Sequence, residues 1–115
     1  MMSKEIVKEN GLVMNQTFVG DGQKPQNGQT IKVHYEGYLE DGNVFDSSVQ
    51  RNQPFTFKLG GGNVIQGWDE AFLDISVGDK WTLIIPSELA YGNRAIGAIP
   101  ANSTLIFDVE LLEVQ

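Results

Sequence analysis

The chain contains no cysteine. That excludes a disulfide scaffold and any cysteine-ligated zinc or iron–sulfur centre. It has a single histidine, His34, so a zinc site would need three carboxylates, an uncommon ligand set. Basic residues are scarce: 8 Lys and Arg face 15 Asp and Glu, for a formal net charge of −7. Non-specific nucleic-acid binding depends on basic surface neutralising phosphates, and this balance opposes it. No run approaches the roughly 18 apolar residues of a membrane span. The first ten residues alternate charge and apolarity without the apolar stretch of a secretory leader. The expected compartment is therefore the cytoplasm, with no membrane and no nucleic acid among the partners. The sequon matches at Asn15 and Asn102 carry no meaning without secretion. Repeats and low-complexity tracts are also lacking.

The 115 residues suffice for one domain with a real core. Residues 11–18 read as a first strand, closed by the Gly20-Asp21-Gly22 turn. After the Asn27-Gly28 turn, Ile31, Val33 and Tyr35 alternate with Lys32, His34 and Glu36, the period of a half-buried strand. Asp41-Gly42 marks a hairpin. A strand follows at residues 55–59 and is broken by Gly60-Gly61-Gly62, which reads as a flexible break. From Ile65, apolar residues recur at Trp68, Phe72 and Ile75, helical spacing that ends at Gly78. Trp81, Leu83 and Ile85 form another strand, residues 87–103 a long irregular loop, and Leu105, Phe107, Val109 and Leu111 the last strand. The expected fold class is α+β: a curled antiparallel sheet of five or six strands wrapped around one short helix. Residues 1–19 form an N-terminal segment with the first strand, and residues 20–115 the functional domain.

The usual chemistries find little support. His34 falls on the polar face of its strand and reads as a surface residue. Ser47 and Ser48 lack the setting of a hydrolase elbow and read as turn serines. The glycine triplet is followed by no Lys-Ser or Lys-Thr, so it is no phosphate cradle. The carboxylates follow no calcium-loop spacing. What stands out is a set of aromatic residues from separate segments (Tyr35, Phe45, Phe55, Trp68, Tyr91 and Phe107) with Asp46 beside Phe45 and a Val64-Ile65 pair ahead of the helix. Together they suggest an apolar pocket able to hold a hydrophobic ligand, or to catalyse a reaction that needs no bond-making residue.

These motifs resemble the FKBP family of peptidyl-prolyl cis-trans isomerases, which bind tacrolimus and rapamycin. The resemblance runs in order from about residue 20 to 112. It includes Val33-His34-Tyr35, Leu39-Glu40-Asp41-Gly42, Phe45-Asp46-Ser47-Ser48, Arg51-Asn52-Gln53-Pro54-Phe55, Val64-Ile65-Gln66-Gly67-Trp68, Ala90-Tyr91-Gly92, Ile99-Pro100 and residues 105–111. It implies a catalytic set of Tyr35, Phe45, Asp46, Tyr91 and Phe107. Arg51, Phe55, Val64, Ile65, Trp68 and Ile99 would complete the binding surface for substrate or macrolide, with Trp68 as floor. Tyr91 would offer its hydroxyl and Ile65 its N–H to ligand carbonyls, while Arg51 and Tyr35 orient Asp46. The implied protein is a monomer without metal or cofactor, acting on proline-containing polypeptides and binding tacrolimus or rapamycin. A non-catalytic binding module with the same pocket is the alternative. The loop after Tyr91, residues 92–99, is shorter than in the family's best-known members and lacks a histidine often found there, and Ala98 replaces a bulkier aliphatic residue.

Overall fold

A computed structural model describes residues 4–115. The start of the expected 1–19 segment, residues 1–3, lies outside the described residues. All strands join one antiparallel sheet: β1 (Glu5–Val7), β2 (Val13–Phe18), β3 (Thr30–Leu39), β4 (Val44–Ser47), β5 (Phe55–Lys58), β6 (Lys80–Ile85) and β7 (Leu105–Val114). Their order is β1-β2-β6-β7-β3-β4, with β5 also on β3. The helix α1 (Gln66–Ala71) continues into a 3-10 turn at Phe72–Asp74. A second 3-10 turn, Ser87–Leu89, opens the long loop. The curled sheet around one helix is as expected. It has seven strands rather than five or six; the shortest, β1, has three residues and β4 has four. No helix among the described residues is long and apolar enough to cross a membrane.

The central pair β3 and β7 carries the alternation the sequence shows. Ile31, Val33 and Tyr35 on β3, and Leu105, Phe107, Val109 and Leu111 on β7, are buried on the concave face. Both β4 and β5 lie on the same edge of β3, β5 opposite Thr30 to Val33 and β4 opposite Glu36 to Tyr38. They behave as one strand interrupted by residues 48–54, and that interruption lifts Arg51 beside the sheet edge. Trp68, Ala71, Phe72 and Ile75 turn from the helix into the concavity, all buried. The helix can approach closely because position 67 has no side chain: a Cβ there would lie 2.6 Å from Ile85 Cγ2.

One buried acid fastens the far end. Asp79, 2% exposed, accepts hydrogen bonds from the Gly20 N–H at 2.6 Å, the Ser76 N–H at 3.0 Å and the Trp81 indole at 2.9 Å. Burial pushes its carboxyl up, yet donation from Trp81, Ser76, Gly20 and the Gln16 amide outweighs burial and holds the pKa below its usual 3.8. A carboxyl whose pKa falls on folding contributes stability that is complete above the unfolded value and disappears as pH drops through the folded one. Unfolding free energy should therefore decline as pH falls below about 3.8. Asp79→Ala should cost about 2–4 kcal/mol at neutral pH, because it strands the indole and two amides. Denaturant melts of both proteins across pH check this. A variant as stable as the parent would show that the donors find water instead.

Candidate functional site

The helix is too short to fill the concave face, and the space left over is a cavity. Its volume is about 280 Å³, and it is lined by Tyr35, Phe45, Asp46, Phe55, Asn63, Val64, Ile65, Trp68, Tyr91 and Phe107. Trp68 lies at the centre of the rings, with centroids 5.0 Å from Tyr35, 5.2 Å from Phe107, 5.4 Å from Phe72 and 5.6 Å from Phe57. Most of these contacts are edge-to-face, the arrangement the ring quadrupole favours, and each is worth about 0.5–1.5 kcal/mol beyond burial. The Trp68 indole N–H is buried without a hydrogen-bond partner among the described residues. Phe45 meets Phe107 edge-on at 5.6 Å. Both rings lie over Gly37, where a Cβ would come within 2.7 Å of each.

Charge is confined to the rim. The Tyr35 hydroxyl donates to Asp46 Oδ2, Arg51 Nη1 donates to Asp46 Oδ1, and Arg51 Nη2 donates to the Tyr35 oxygen at 3.1 Å. Burial pushes the Asp46 carboxyl up, but Tyr35 and Arg51 together draw it below the usual carboxylate value. For Tyr35, burial and the Asp46 hydrogen bond raise the phenol pKa against the opposing pull of Arg51. At neutral pH the rim thus holds a carboxylate, a guanidinium and a neutral phenol. Tyr91 is 39% exposed at the mouth. The Ile65 N–H, at the N-cap of α1, has no hydrogen-bond partner among the described residues.

The structure brings nine of the eleven expected residues together around this cavity. Arg51 stands behind the lining, bordering an adjoining groove with Gln53, Pro54, Phe55 and Thr56. Ile99 does not line the cavity. Its side chain is buried in the same core cluster as Tyr35, Trp68 and Phe107, and its backbone is paired with Ile96. The surface reading of His34 needs correction, and of the two expected turn serines Ser48 does sit in the turn after β4 while Ser47 ends that strand. His34 is half-buried, with Nδ1 2.8 Å from the Ser48 hydroxyl, and Ser47 and Ser48 are buried at 4% and 0% exposure. A hydrogen-bonding demand at the break between β4 and β5 draws these serines inward.

Nor is the glycine triplet a loose break. Asp69 Oδ1 accepts the Gly60 N–H at 2.8 Å and Oδ2 the Gly62 N–H at 3.1 Å. This carboxylate ties the segment carrying Asn63 and Val64 to the first turn of α1. Asn63 and Asp69 were absent from the expected site. The available signal was an acid in a helix's first turn just after a run of unpaired glycine amides.

A larger depression, about 540 Å³, lies on the outer face of the sheet between Thr17, His34, Glu36, Lys80, Asp108 and Glu110. Its lining also includes Val49, Trp81 and Val109, so charged and apolar groups share this face of β3, β6 and β7.

Comparison with known proteins identifies the family. Residues 21–112 match the family model described as FKBP-type peptidyl-prolyl cis-trans isomerase. The chain belongs to the FKBP family. It is similar to "FK506-binding protein 2" of Emericella nidulans, 56% identical over 94 residues that cover 81% of this chain and 70% of that protein. "Peptidyl-prolyl cis-trans isomerase Fkbp12" of Drosophila melanogaster is 55% identical over 98 residues, covering 84% and 91%. Among solved structures, AtFKBP13 superposes with a TM-score of 0.90 at 43% identity, covering 97% and 99%. FkpA from Escherichia coli gives 0.89 at 45% identity over 96% of this chain, which spans about half (51%) of FkpA.

Within this FKBP fold, Asp69 gives a test that does not depend on turnover. Asp69→Ala should speed hydrogen exchange of the Gly60 and Gly62 amides at least about tenfold, through loss of about 1.4 kcal/mol or more of local protection. Amide exchange followed by NMR measures this directly. Unchanged protection at both glycines would show that the loop is held by packing alone.

Proposed function

We propose that this chain accelerates cis–trans rotation about X–Pro bonds of polypeptides by accepting the proline ring on Trp68 between Tyr35, Phe55 and Phe107. The observation that carries the reading is a ring-lined cavity whose charged groups sit at the rim. The planar X–Pro amide owes its barrier of about 18–20 kcal/mol to resonance. Twisting removes that resonance and much of the carbonyl's polarity. Water stabilises the polar planar form more than the twisted one, so an apolar cavity lowers the barrier by relative stabilisation of the twisted state. The Ile65 N–H and the Tyr91 hydroxyl would hold flanking carbonyls and fix the chain's orientation. Asp46, kept ionised and pinned by Tyr35 and Arg51, presents a fixed negative field at the mouth without having to move a proton.

The magnitudes are compatible. An acceleration of about 10³–10⁶-fold needs only about 4–8 kcal/mol. Two positioning hydrogen bonds at about 1 kcal/mol each, with desolvation, supply an effect of that order. Proline-containing polypeptides are the proposed substrates, and the cytoplasm is the proposed compartment.

A protease-coupled assay on a proline-containing peptide should show catalysed isomerisation. A rate equal to the uncatalysed one, from protein shown to be folded, would overturn the proposal. Asp46→Ala and Phe45→Ala should each lower catalytic efficiency about tenfold, equivalent to about 1.4 kcal/mol of transition-state stabilisation. Because the Asp46–Arg51 pair is partly solvent-exposed, with side chains 40% and 46% accessible, Asp46→Ala should cost little stability. Loss of stability with full activity of the folded fraction would mark the pair as packing rather than site.

The same cavity should take the macrolides tacrolimus and rapamycin. Calorimetry should detect binding, and the ligand should displace peptide. No heat and no displacement at high micromolar ligand would contradict this assignment of the cavity.

A further inference from the structure

We propose that Ser48 is a positioning residue for the isomerase site and that it links the site to the protonation of His34 on the opposite face of the sheet. The inference rests on the site described above and adds a control to it. Tyr35 and His34 are adjacent on β3, so their side chains leave opposite faces: Tyr35 enters the cavity, and His34 borders the outer depression. One hydroxyl touches both. Ser48 Oγ accepts the Tyr35 N–H at 2.7 Å, lies 2.8 Å from His34 Nδ1 and lies 3.2 Å from the Tyr35 carbonyl oxygen. The Ser48 N–H donates to that same carbonyl at 2.9 Å. Ser48 is 0% exposed, so water does not compete for these bonds.

A serine hydroxyl has one proton to give. With the oxygen already receiving the Tyr35 N–H, that proton can go to His34 Nδ1 or to the Tyr35 carbonyl. The shorter separation directs it to Nδ1 when the imidazole is neutral and carries its own proton on Nε2. Protonation turns Nδ1 into a donor. Ser48 Oγ must then accept from both His34 and Tyr35, and its proton swings to the Tyr35 carbonyl. The result is a weaker bond to the Tyr35 N–H and a second donor on the Tyr35 C=O. Both changes act on the backbone of the residue whose hydroxyl holds Asp46. The groups facing His34 are Lys32 and Glu36 on β3, Asp108 and Glu110 on β7, and Lys80 on β6. Lys32 is engaged by Glu113 at 3.2 Å.

The test is a pH titration of the intact chain by NMR, with catalytic efficiency measured in parallel. The Tyr35 amide signal should move with the same midpoint as the His34 ring signals. Catalytic efficiency should change about threefold across that midpoint, the size expected when one hydrogen bond is weakened rather than lost. In Ser48→Ala, His34 should still titrate while the Tyr35 amide stays flat. In His34→Gln, which leaves the buried serine in place, amide and activity should both be flat. A Tyr35 amide that ignores the His34 titration, or one that follows it in Ser48→Ala, would overturn the proposal. So would a wild-type activity profile identical to that of His34→Gln. A chain without isomerase activity at any pH would instead overturn the reading of the site, and the amide titration would still decide the relay.

Discussion

The mismatch between a long curled sheet and a short helix is the constraint on which everything else depends. Seven strands present one continuous apolar hollow, and the segment available to fill it is six helical residues followed by a single 3-10 turn. Apolar surface left open to water is unfavourable. The chain limits that cost by spending its largest rings at the edge of the filled region. Trp68 is both the last layer of the core and the first layer of the cavity. For that reason the same ring must satisfy packing on one side and leave room on the other.

The rim solves a different problem. A carboxylate beside an apolar cavity would tend to take up a proton or to swing into solvent. Tyr35 and Arg51 prevent both by donating to different oxygens of Asp46, while Arg51 also donates to the Tyr35 oxygen and closes a ring of hydrogen bonds. Arg51 reaches this position because β4 and β5 are two halves of one strand on β3, and the interruption between them supplies the loop it stands on. A break in the hydrogen-bond ladder, ordinarily a weakness, thereby places the only guanidinium of the site.

Much of this was legible in the sequence, where the information is local and periodic. The alternation Ile31, Val33, Tyr35 and the spacing Ile65, Trp68, Phe72, Ile75 report which side chains face inward, because sheet and helix periods are fixed by backbone geometry. The family resemblance located the pocket rings. What stayed hidden depends on partners far apart in the chain. Ser48 looks like any turn serine until β4 brings it under Tyr35, and Asp69 looks like any surface acid until residues 60 and 62 turn their amides toward it. Ile99 illustrates the converse: an aliphatic residue on a loop can serve core or cavity equally well, and only the path of residues 92–99 decides.

Gly37 has a consequence for how such a cavity can diversify. The Phe45 and Phe107 rings rest directly on its backbone, in the space a methyl group would occupy. Cavity width is therefore governed from beneath its wall by a residue that is not part of the lining. Adding carbon there would act as a wedge, tilting two rings inward while leaving the charged rim as it is. Size and polarity thus have separate controls: the central strand sets which ring can enter, and the interrupted edge strand sets the charge at the mouth.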